Sequence, residues 1–255
     1  ADSRVHYLSF SRNFGKEAAM YAGLKHAKGD FVAVMDVDLQ DPPNLLPTMY
    51  RTLKNSDYDC VGTKRVDRQG EPVIRSFFAK GFYKLINRIS DNHIVDGARD
   101  YRLMTRQMVD AVLELTEYNR FSKGIFTWVG FETKYIEYSN IERPAGKTSW
   151  SFWGLMKYSF DGIIAFSAVP LAIASFIGFI AFVVAVLLAL FFAIRTLLFG
   201  NATSGWTSLM VMILGMGGLQ LLCLGILGKY LGQTFLETKK RPIYILKETD
   251  ETLKK

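Results

Sequence analysis

Two long runs without a charged residue occupy the second half of this chain and limit what it can fold into. The first extends from Gly162 to Ile194 and the second from Trp206 to Gly228. A helix needs about 20 apolar residues to cross the hydrocarbon core of a bilayer. We therefore predict two transmembrane helices, near Leu171–Leu198 and Leu209–Tyr230, rather than the buried helical hairpin of a soluble protein.

Basic residues flank these runs in a pattern that predicts topology. The loop at residues 199–205 has no lysine or arginine, whereas the flanks carry Lys147, Lys157, Lys229, Lys239, Lys240 and Arg241. Cytoplasmic loops are enriched in lysine and arginine, so we expect a multi-pass protein of the cell membrane with both ends of the hairpin cytoplasmic. Before Pro170 we expect an interfacial helix rich in aromatic residues, namely Trp150, Trp153, Tyr158 and Phe160.

The charge balance indicates anionic partners. The chain has 255 residues with 31 basic and 24 acidic side chains, a formal charge of +7, and 49% of its residues are hydrophobic. This favours phosphates or an anionic membrane surface over nucleic acid.

The two cysteines, Cys60 and Cys223, predict no disulfide framework, and the polar N-terminal stretch has no signal-peptide core. We expect the first half of the chain in the cytoplasm.

The stretch FVAVMDVDLQDPP, residues 31–43, predicts a buried strand that ends in carboxylates. The unbroken apolar run at its start favours a parallel strand covered on both faces. Ligands of open α/β sheets bind beyond such strand ends, and Asp36 and Asp38 share one face because they are two residues apart. Their oxygens suit Mg²⁺ or Mn²⁺ carrying a diphosphate. From these residues alone, the alternative is a solvated turn after the strand, in which residues 41–43 only mark the end of the strand.

The surrounding segments predict an α/β domain with a doubly wound sheet. A strand-like run is followed by a helix over Lys16–Lys28 and then by the acidic strand, which is the order of a βαβ unit. A second helix over Asn44–Lys54 leads to a third strand at Asp59–Thr63, which is followed by Lys64 and Arg65. Basic side chains are thereby expected at the same sheet edge as the acidic ones.

Two further segments combine basic and apolar residues. Residues 72–90 have apolar side chains at helical spacing, which suits either a membrane-surface helix or a core helix with a solvated basic face. Residues 95–104 are predicted to form a highly charged turn before the next helix. Because Arg99 and Arg102 flank Asp100, they should keep this carboxylate ionised, and they can bind phosphate oxygens.

The link between the two halves is polar. It follows a short helix predicted over Arg120–Trp128 and a strand predicted over Thr133–Tyr138. Residues 142–150 contain proline, glycine and basic side chains. They are either a bare linker or a mobile loop that closes over a nucleotide, with Arg143 and Lys147 directed at its phosphates.

Several of these segments together resemble one family, the polyprenyl-phosphate glycosyltransferases of family 2, which include bactoprenol glucosyltransferases and dolichyl-phosphate mannose synthase. They are the two-helix tail and the segments SRNFGKEAAMYAGL (11–24), MDVDLQDPP (35–43), GARDYRLMTR (97–106) and RPAGKTSW (143–150). The resemblance covers nearly the whole chain. It implies a GT-A type, Rossmann-like nucleotide-sugar-binding domain, followed by interfacial helices and a transmembrane hairpin.

By this resemblance the protein is an inverting, metal-dependent hexosyltransferase. It implies transfer of a sugar, with glucose or an N-acetylhexosamine expected, from a nucleotide diphosphate sugar, with a UDP-sugar expected. The acceptor would be undecaprenyl phosphate or a similar polyprenyl phosphate on the cytoplasmic face, and the product would serve cell-envelope glycan modification. Homo-oligomerisation is left open.

The resemblance also assigns the acidic residues. Asp36 matches the nucleotide-side carboxylate of the family, while Asp38 and Gln40 match the groups that hold the divalent metal, Mg²⁺ or Mn²⁺, against the diphosphate.

Basic residues and a further carboxylate complete the implied site. Arg65 and Arg75 match residues that meet the donor and acceptor phosphates, and Asp100 matches the proposed catalytic base. A phosphate monoester has its second pKa at about 6, so the acceptor is already largely a dianion at neutral pH. We therefore predict that Asp100 mainly orients arginines and the acceptor phosphate.

The same comparison sets the expected domain boundaries. A GT-A catalytic domain is expected over residues 1–145, a juxtamembrane segment over 146–170, two transmembrane helices over 171–232 and a cytoplasmic tail over 233–255. The family's first strand and its nucleotide-binding turn are expected to lie before residue 1.

Two other classes stay open at this point. An apolar strand that ends in Asp-x-Asp also marks haloacid-dehalogenase-like phosphotransferases, with Asp36 as nucleophile, although Leu39 and Gln40 replace the usual Gly-Thr of that class. The second alternative is a non-catalytic membrane scaffold of the same fold.

Overall fold

A computed structural model describes residues 2, 4–37, 40–65, 81, 84, 86–88, 94–95, 97–138, 154, 161–199 and 205–250. The chain divides into two compact units, an α/β unit of residues 1–166 with 239–255 and a helical unit of residues 167–238. Strands of the α/β unit are β1 (Leu8–Phe10), β2 (Phe31–Val34), β3 (Cys60–Arg65), β4 (Ala98–Thr105), β5 (Thr133–Tyr138) and β6 (Leu246–Thr249). Its helices are α1 (Lys16–His26), α2 (Leu46–Lys54) after a 3₁₀ turn at Pro43–Leu45, α3 (Arg106–Glu114) and α4 (Ser122–Trp128).

Four strands form one mixed sheet in the order β2-β4-β3-β5. β4 is antiparallel to both of its neighbours, β2 and β3, whereas β3 and β5 are parallel. The ends of β2, β3 and β5 therefore meet the start of β4 at one edge. The α/β prediction is confirmed, but β2 is not the parallel strand of a βαβ unit with β1, because β1 pairs with β6 in a separate two-stranded sheet.

Residues 98–105 form strand β4, so the predicted charged turn at 95–104 is wrong for most of its length. Gly97, at the start of the strand, has a φ of +79°, a conformation that glycine adopts without strain. Tyr101, Leu103 and Met104 are buried. These side chains are buried on both faces of the sheet. The free energy gained by their burial outweighs the tendency of the neighbouring charged residues to form a solvated turn.

Helices cover both faces of this sheet. On one face Met104 and Cys60 belong to a core cluster with side chains of α1, α3 and α4. On the opposite face Tyr101 and Leu103 pack against α2. Each fully buried large apolar side chain stabilises the fold by roughly 1.5–3 kcal/mol. Because both faces are closed, the edge where the strands end is the place left for polar chemistry.

The helical unit contains α5 (Val169–Phe199) and α6 (Trp206–Thr238). By length and composition alone, both are apolar enough to cross a membrane, since an 18-residue window has a mean hydropathy of 3.1 within Val169–Phe199 and of 1.2 within Gly215–Thr238. The helices predicted at 171–198 and 209–230 are confirmed as helices. Pro170 lies in the first turn of α5, where its missing N–H costs no helical hydrogen bond.

The C-terminal residues differ from the expected tail. α6 continues to Thr238, and Leu246–Thr249 forms β6 within the α/β unit. The predicted loop at 142–150 lies outside the described residues. So do the aromatic residues of the expected interfacial helix and most of the predicted helix at 72–90.

Candidate active site

One lysine joins two carboxylates at the edge of the sheet. Lys16 is the first residue of α1, and its Nζ lies 3.0 Å from Asp36 Oδ2 and 2.6 Å from Asp100 Oδ2. Asp36 follows the end of β2 and Asp100 lies near the start of β4. Because these strands are antiparallel neighbours, both carboxylates reach the same edge. We call Lys16, Asp36 and Asp100 the lysine–carboxylate cluster.

The turn before α1 places the lysine. Gly15 directly precedes the helix and has a φ of +91°, where a residue with a Cβ would be strained. Its backbone N–H donates to Asn13 Oδ1 at 2.8 Å. The chain thereby enters α1 in a fixed direction, and its first side chain, Lys16, reaches the strand ends.

The charges of this cluster control the ionisation of its members. Burial raises the pKa of Asp100, but the positive charges of Lys123, Lys16 and Arg102 outweigh it and hold the pKa below its usual value. Burial lowers the pKa of Lys16, but the carboxylates of Asp100 and Asp36 outweigh it and leave the pKa raised. Lys16 and Asp100 are therefore both ionised at neutral pH. The pKa of Asp100 is lowered as predicted, but the larger causes are Lys123 and Lys16 rather than the flanking arginines.

A further carboxylate, Asp41, is buried in the turn after β2. It is 2% exposed, accepts a hydrogen bond from the Asp36 backbone N–H at 3.2 Å and another from the Tyr138 hydroxyl at 3.2 Å. Arg99 Nε lies 3.7 Å from its Oδ1. Burial raises the pKa of Asp41 in spite of these partners. A buried carboxylate thus holds this turn, which argues against the alternative interpretation of Asp41 as part of a solvated turn.

The two arginines beside Asp100 have different surroundings. Arg99 faces the turn, with its Nη2 3.4 Å from Gln40 Oε1. Arg102 is 3% exposed, and its guanidinium lies over the Phe126 ring at 3.8 Å and donates to the Arg99 carbonyl at 3.0 Å. Arg102 therefore fixes the backbone that carries Asp100, and its burial does not suit the predicted contact with a phosphate.

Comparison with known proteins identifies the family. Residues 1–113 match the family model described as glycosyl transferase family 2. The chain is 42% identical to the putative glycosyltransferase CsbB of Bacillus subtilis (strain 168), over 97% of this chain and 75% of that protein. It is 43% identical to the prophage bactoprenol glucosyl transferase homolog of Escherichia coli (strain K12), over 97% of this chain and 80% of that protein. The SfII prophage-derived bactoprenol glucosyl transferase of Shigella flexneri is 42% identical, over 98% of this chain and 80% of that protein.

The chain belongs to glycosyl transferase family 2. Membership implies the GT-A, Rossmann-like α/β fold, with which the mixed sheet agrees. The resemblance drawn from the sequence segments is confirmed. The family assignment also argues against the haloacid-dehalogenase alternative, in which Asp36 would be a nucleophile.

The structure brings together part of the predicted site of this family 2 glycosyltransferase. Asp36 and Asp100 share Lys16, Gln40 lies beside Arg99, and Arg65 ends β3 at the same sheet edge. The remaining predicted contacts lie outside the described residues, namely the side chain of Arg65 and all of Asp38, Arg75, Arg143 and Lys147.

The donor atoms at this edge fit a divalent metal by type. Within the described residues, which exclude Asp38, no group of three or more His, Cys, Asp or Glu side chains forms a ligand set. The Asp36 side chain is 39% exposed, and Gln40 lies on the same turn. Carboxylate and amide oxygens are the hard ligands that Mg²⁺ takes in proteins.

Sequence reasoning missed four residues of this region, Lys16, Asp41, Lys123 and Tyr138. A signal existed for Lys16, because a cation in the first turn of a helix is disfavoured by the helix dipole and so calls for an anionic partner. Asp41 differs from a solvated turn residue only through its burial. Tyr138 ends a strand far along the chain, and no spacing connects it with Asp41.

Proposed function

We propose that this protein is a membrane-bound, inverting glycosyltransferase that moves a sugar from a nucleotide diphosphate sugar to a polyprenyl phosphate. Undecaprenyl phosphate is the expected acceptor, glucose the expected sugar and UDP-glucose the first donor to test. The observation that carries the proposal is 42–43% identity, over 97–98% of this chain, to relatives named bactoprenol glucosyl transferases. The product would serve cell-envelope glycan modification.

The reaction joins two anions, and the charges at the sheet edge suit it. A phosphate oxygen of the acceptor attacks the anomeric carbon and forms a new C–O bond with inversion. The C–O bond to the nucleoside diphosphate breaks, and its electron pair leaves with the diphosphate. Lys16 and Lys123 lie close to Asp100, so positive charge is held where these anions meet. Positioning and charge stabilisation supply most of the rate enhancement in such transfers.

Asp100 acts in this scheme mainly as an orienting group. A phosphate monoester has its second pKa at about 6, so the acceptor already is largely a dianion at neutral pH and little proton removal is needed. The lowered pKa of Asp100, which the lysines maintain against burial, makes it a weak base. Its carboxylate instead holds Lys16 at 2.6 Å.

A divalent metal, Mg²⁺ or Mn²⁺, belongs to the proposal, with Asp38 and Gln40 as the residues that would hold it. Such an ion supplies Lewis-acid stabilisation of the leaving diphosphate when bound. Asp38→Asn keeps the side-chain shape but removes its charge, so turnover should fall by about two orders of magnitude or more. Metal titrations of both proteins would check this, and normal turnover of the variant in chelator would assign Asp38 a structural role.

The helical unit would anchor the enzyme beside its lipid acceptor, with both ends of the hairpin cytoplasmic. The apolar composition of α5 and α6 and the positions of the flanking lysines support this topology. Cysteines introduced by Ser204→Cys and Thr238→Cys should be labelled by an impermeant reagent from opposite sides of the membrane. Labelling from one side would contradict the hairpin.

The function is tested by incubating the full-length protein in vesicles with undecaprenyl phosphate and a panel of nucleotide sugars. The mass of the lipid product identifies the transferred sugar. We expect a single hexose added to the lipid phosphate, with product formation by the Asp100→Asn variant, run in parallel, slower by about two orders of magnitude or more. A folded, membrane-inserted protein that forms no glycosylated lipid with any donor would favour the scaffold alternative.

A further inference from the structure

The chain after α6 contributes a strand to the α/β unit. β6 pairs antiparallel with β1, with Ser9 opposite Glu248, and the Ser11 backbone N–H donates to the Ile245 carbonyl at 3.0 Å. We call residues 243–250 the C-terminal strap. It docks along β1, and its last ladder contact is to Ser11, at the start of the loop that leads to α1.

Tyr244 is the side-chain anchor of the strap. Its ring stacks on Phe10 with the centroids 5.2 Å apart. It also makes edge contacts with Tyr21 at 6.3 Å and His26 at 6.4 Å. Phe10 lies on β1, whereas Tyr21 and His26 lie on α1, so one strap residue joins both elements. Aromatic pairs in stacked and edge arrangements stabilise the contact beyond the area they bury.

The loop between β1 and α1, residues 11–15, is packed against Phe10, the residue on which Tyr244 stacks. Phe14 makes an edge contact with Phe10, with the ring centroids 5.8 Å apart. Ile243 of the strap shares with residues 12–14 the wall of a cavity of about 250 Å³. The strap therefore contacts this loop directly through the backbone hydrogen bond at Ser11 and indirectly through Phe10, which lies between Tyr244 and Phe14.

The residue that follows this loop is Lys16, whose ammonium lies between Asp36 and Asp100. We propose that the C-terminal strap is a positioning element of the active site, in which Tyr244 fixes the loop at 11–15 and thereby holds Lys16 between the two carboxylates. The inference rests on the proposed function, because it gives Lys16 a part in glycosyl transfer. Tyr244 is a positioning residue, since it acts through the loop and Lys16.

The first test is Tyr244→Ala in the full-length enzyme, assayed for transfer to undecaprenyl phosphate over a range of donor concentrations. Displacing a charged group by about 1 Å can cost about 100-fold in rate, so we expect kcat to fall about 10- to 100-fold. Tyr244→Phe keeps the ring and should restore the parent kcat. Lys247→Ala is the matched control on the same strand, because its side chain is 65% exposed, and it should not change kcat.

A double-variant cycle tests whether the strap acts through Lys16. Lys16→Met alone should lower kcat strongly. Adding Tyr244→Ala to Lys16→Met should then lower kcat by less than about 2-fold, because the effects of two substitutions that act through the same contact are not additive. Fully multiplicative losses would show that Tyr244 acts by another route and would overturn the proposal.

A locking variant covers the case in which Tyr244→Ala lowers the yield of folded protein. Ser9→Cys combined with Glu248→Cys places two cysteines opposite each other in the β1–β6 register, at a spacing that suits a disulfide. The locked enzyme should keep the parent kcat, and loss of activity on locking would contradict an active docked strap. An inactive parent enzyme contradicts the proposed function, whereas an active parent with an unchanged Tyr244→Ala kcat contradicts only the strap.

Discussion

Asp100 and Asp41 are two carboxylates at the same edge of one sheet, and their surroundings act on them in opposite directions. Asp100 lies beside Lys16 and Lys123, which hold its pKa below the usual value against burial. Asp41 is enclosed with Arg99 and the Tyr138 hydroxyl, and burial raises its pKa. The difference teaches that the carboxylate beside two lysines suits a reaction between anions, while the enclosed carboxylate holds the turn that follows Asp36.

The largest expected effect is on turnover when the charge of Asp100 is removed. Asp100→Asn removes the shorter of the two carboxylate contacts of Lys16 and leaves only the contact with Asp36 at 3.0 Å. It also removes the negative charge that faces Lys123, so we expect kcat to fall about 10²- to 10⁴-fold. The rate of lipid-linked sugar formation measures this. Asp110→Asn, on the exposed surface of α3 and paired only with Arg106 at 3.5 Å among the contacts described, should retain the parent rate. A similar loss of kcat in both variants would show that the effect is not specific to the carboxylate of Asp100.

Asp41→Asn should affect stability more than chemistry. The amide has a single acceptor oxygen where the carboxylate accepts from both Asp36 and Tyr138, so a buried donor loses its partner. Such a loss costs about 1–3 kcal/mol in the free energy of unfolding. Thermal unfolding of the solubilised protein checks this. A parent-like Tm together with a turnover loss as large as that of Asp100→Asn would show that Asp41 serves the reaction directly.

The smallest expected effect is on the pH dependence of stability. Ionisation of Asp100 should stabilise the fold, whereas ionisation of Asp41 should destabilise it. Asp100 has a folded pKa below its usual 3.8, so its contribution is complete above that value and is lost as the pH falls through the folded pKa. Asp41 has a raised folded pKa, so its ionisation lowers stability above that pKa, and protonation removes the cost.

Denaturant unfolding between neutral pH and about pH 3 measures this difference. The loss of stability on acidification should become shallower in Asp100→Asn and steeper in Asp41→Asn. Equal slopes in the two variants and the parent would mean that the environments of the two carboxylates are alike in the folded protein.

Much of the fold followed from local sequence patterns. The helix predicted over Lys16–Lys28 is observed at Lys16–His26, and the strand predicted over Thr133–Tyr138 is observed with the same bounds. Glycine and other turn residues beside such segments are local signals of where an element ends. Strand β4 was missed because three charged residues near its start concealed the buried Tyr101, Leu103 and Met104. The pairing of β1 with β6 joins residues more than 230 positions apart, and no local pattern encodes such a contact.

The site was predictable to a different degree. Asp36 and Asp100 were predicted as site residues because carboxylates at a strand end and within a recognised segment indicate function, and the structure places both against Lys16. Their common partner, Lys16, is a contact across 20 and 84 residues of sequence, which depends on the sheet order. The burial of Arg102 against Phe126 could not be predicted because it is a property of the folded core.

The rate–pH profile of Asp100→Asn in the transfer assay tests the central claim most directly. If Asp100 orients Lys16 and the acceptor phosphate, the variant should be impaired by a similar factor at every pH from 6 to 9, because the acceptor dianion needs no base above its second pKa of about 6. Recovery of the variant to near the parent rate at high pH would show that proton removal is the task of Asp100 and would contradict this account.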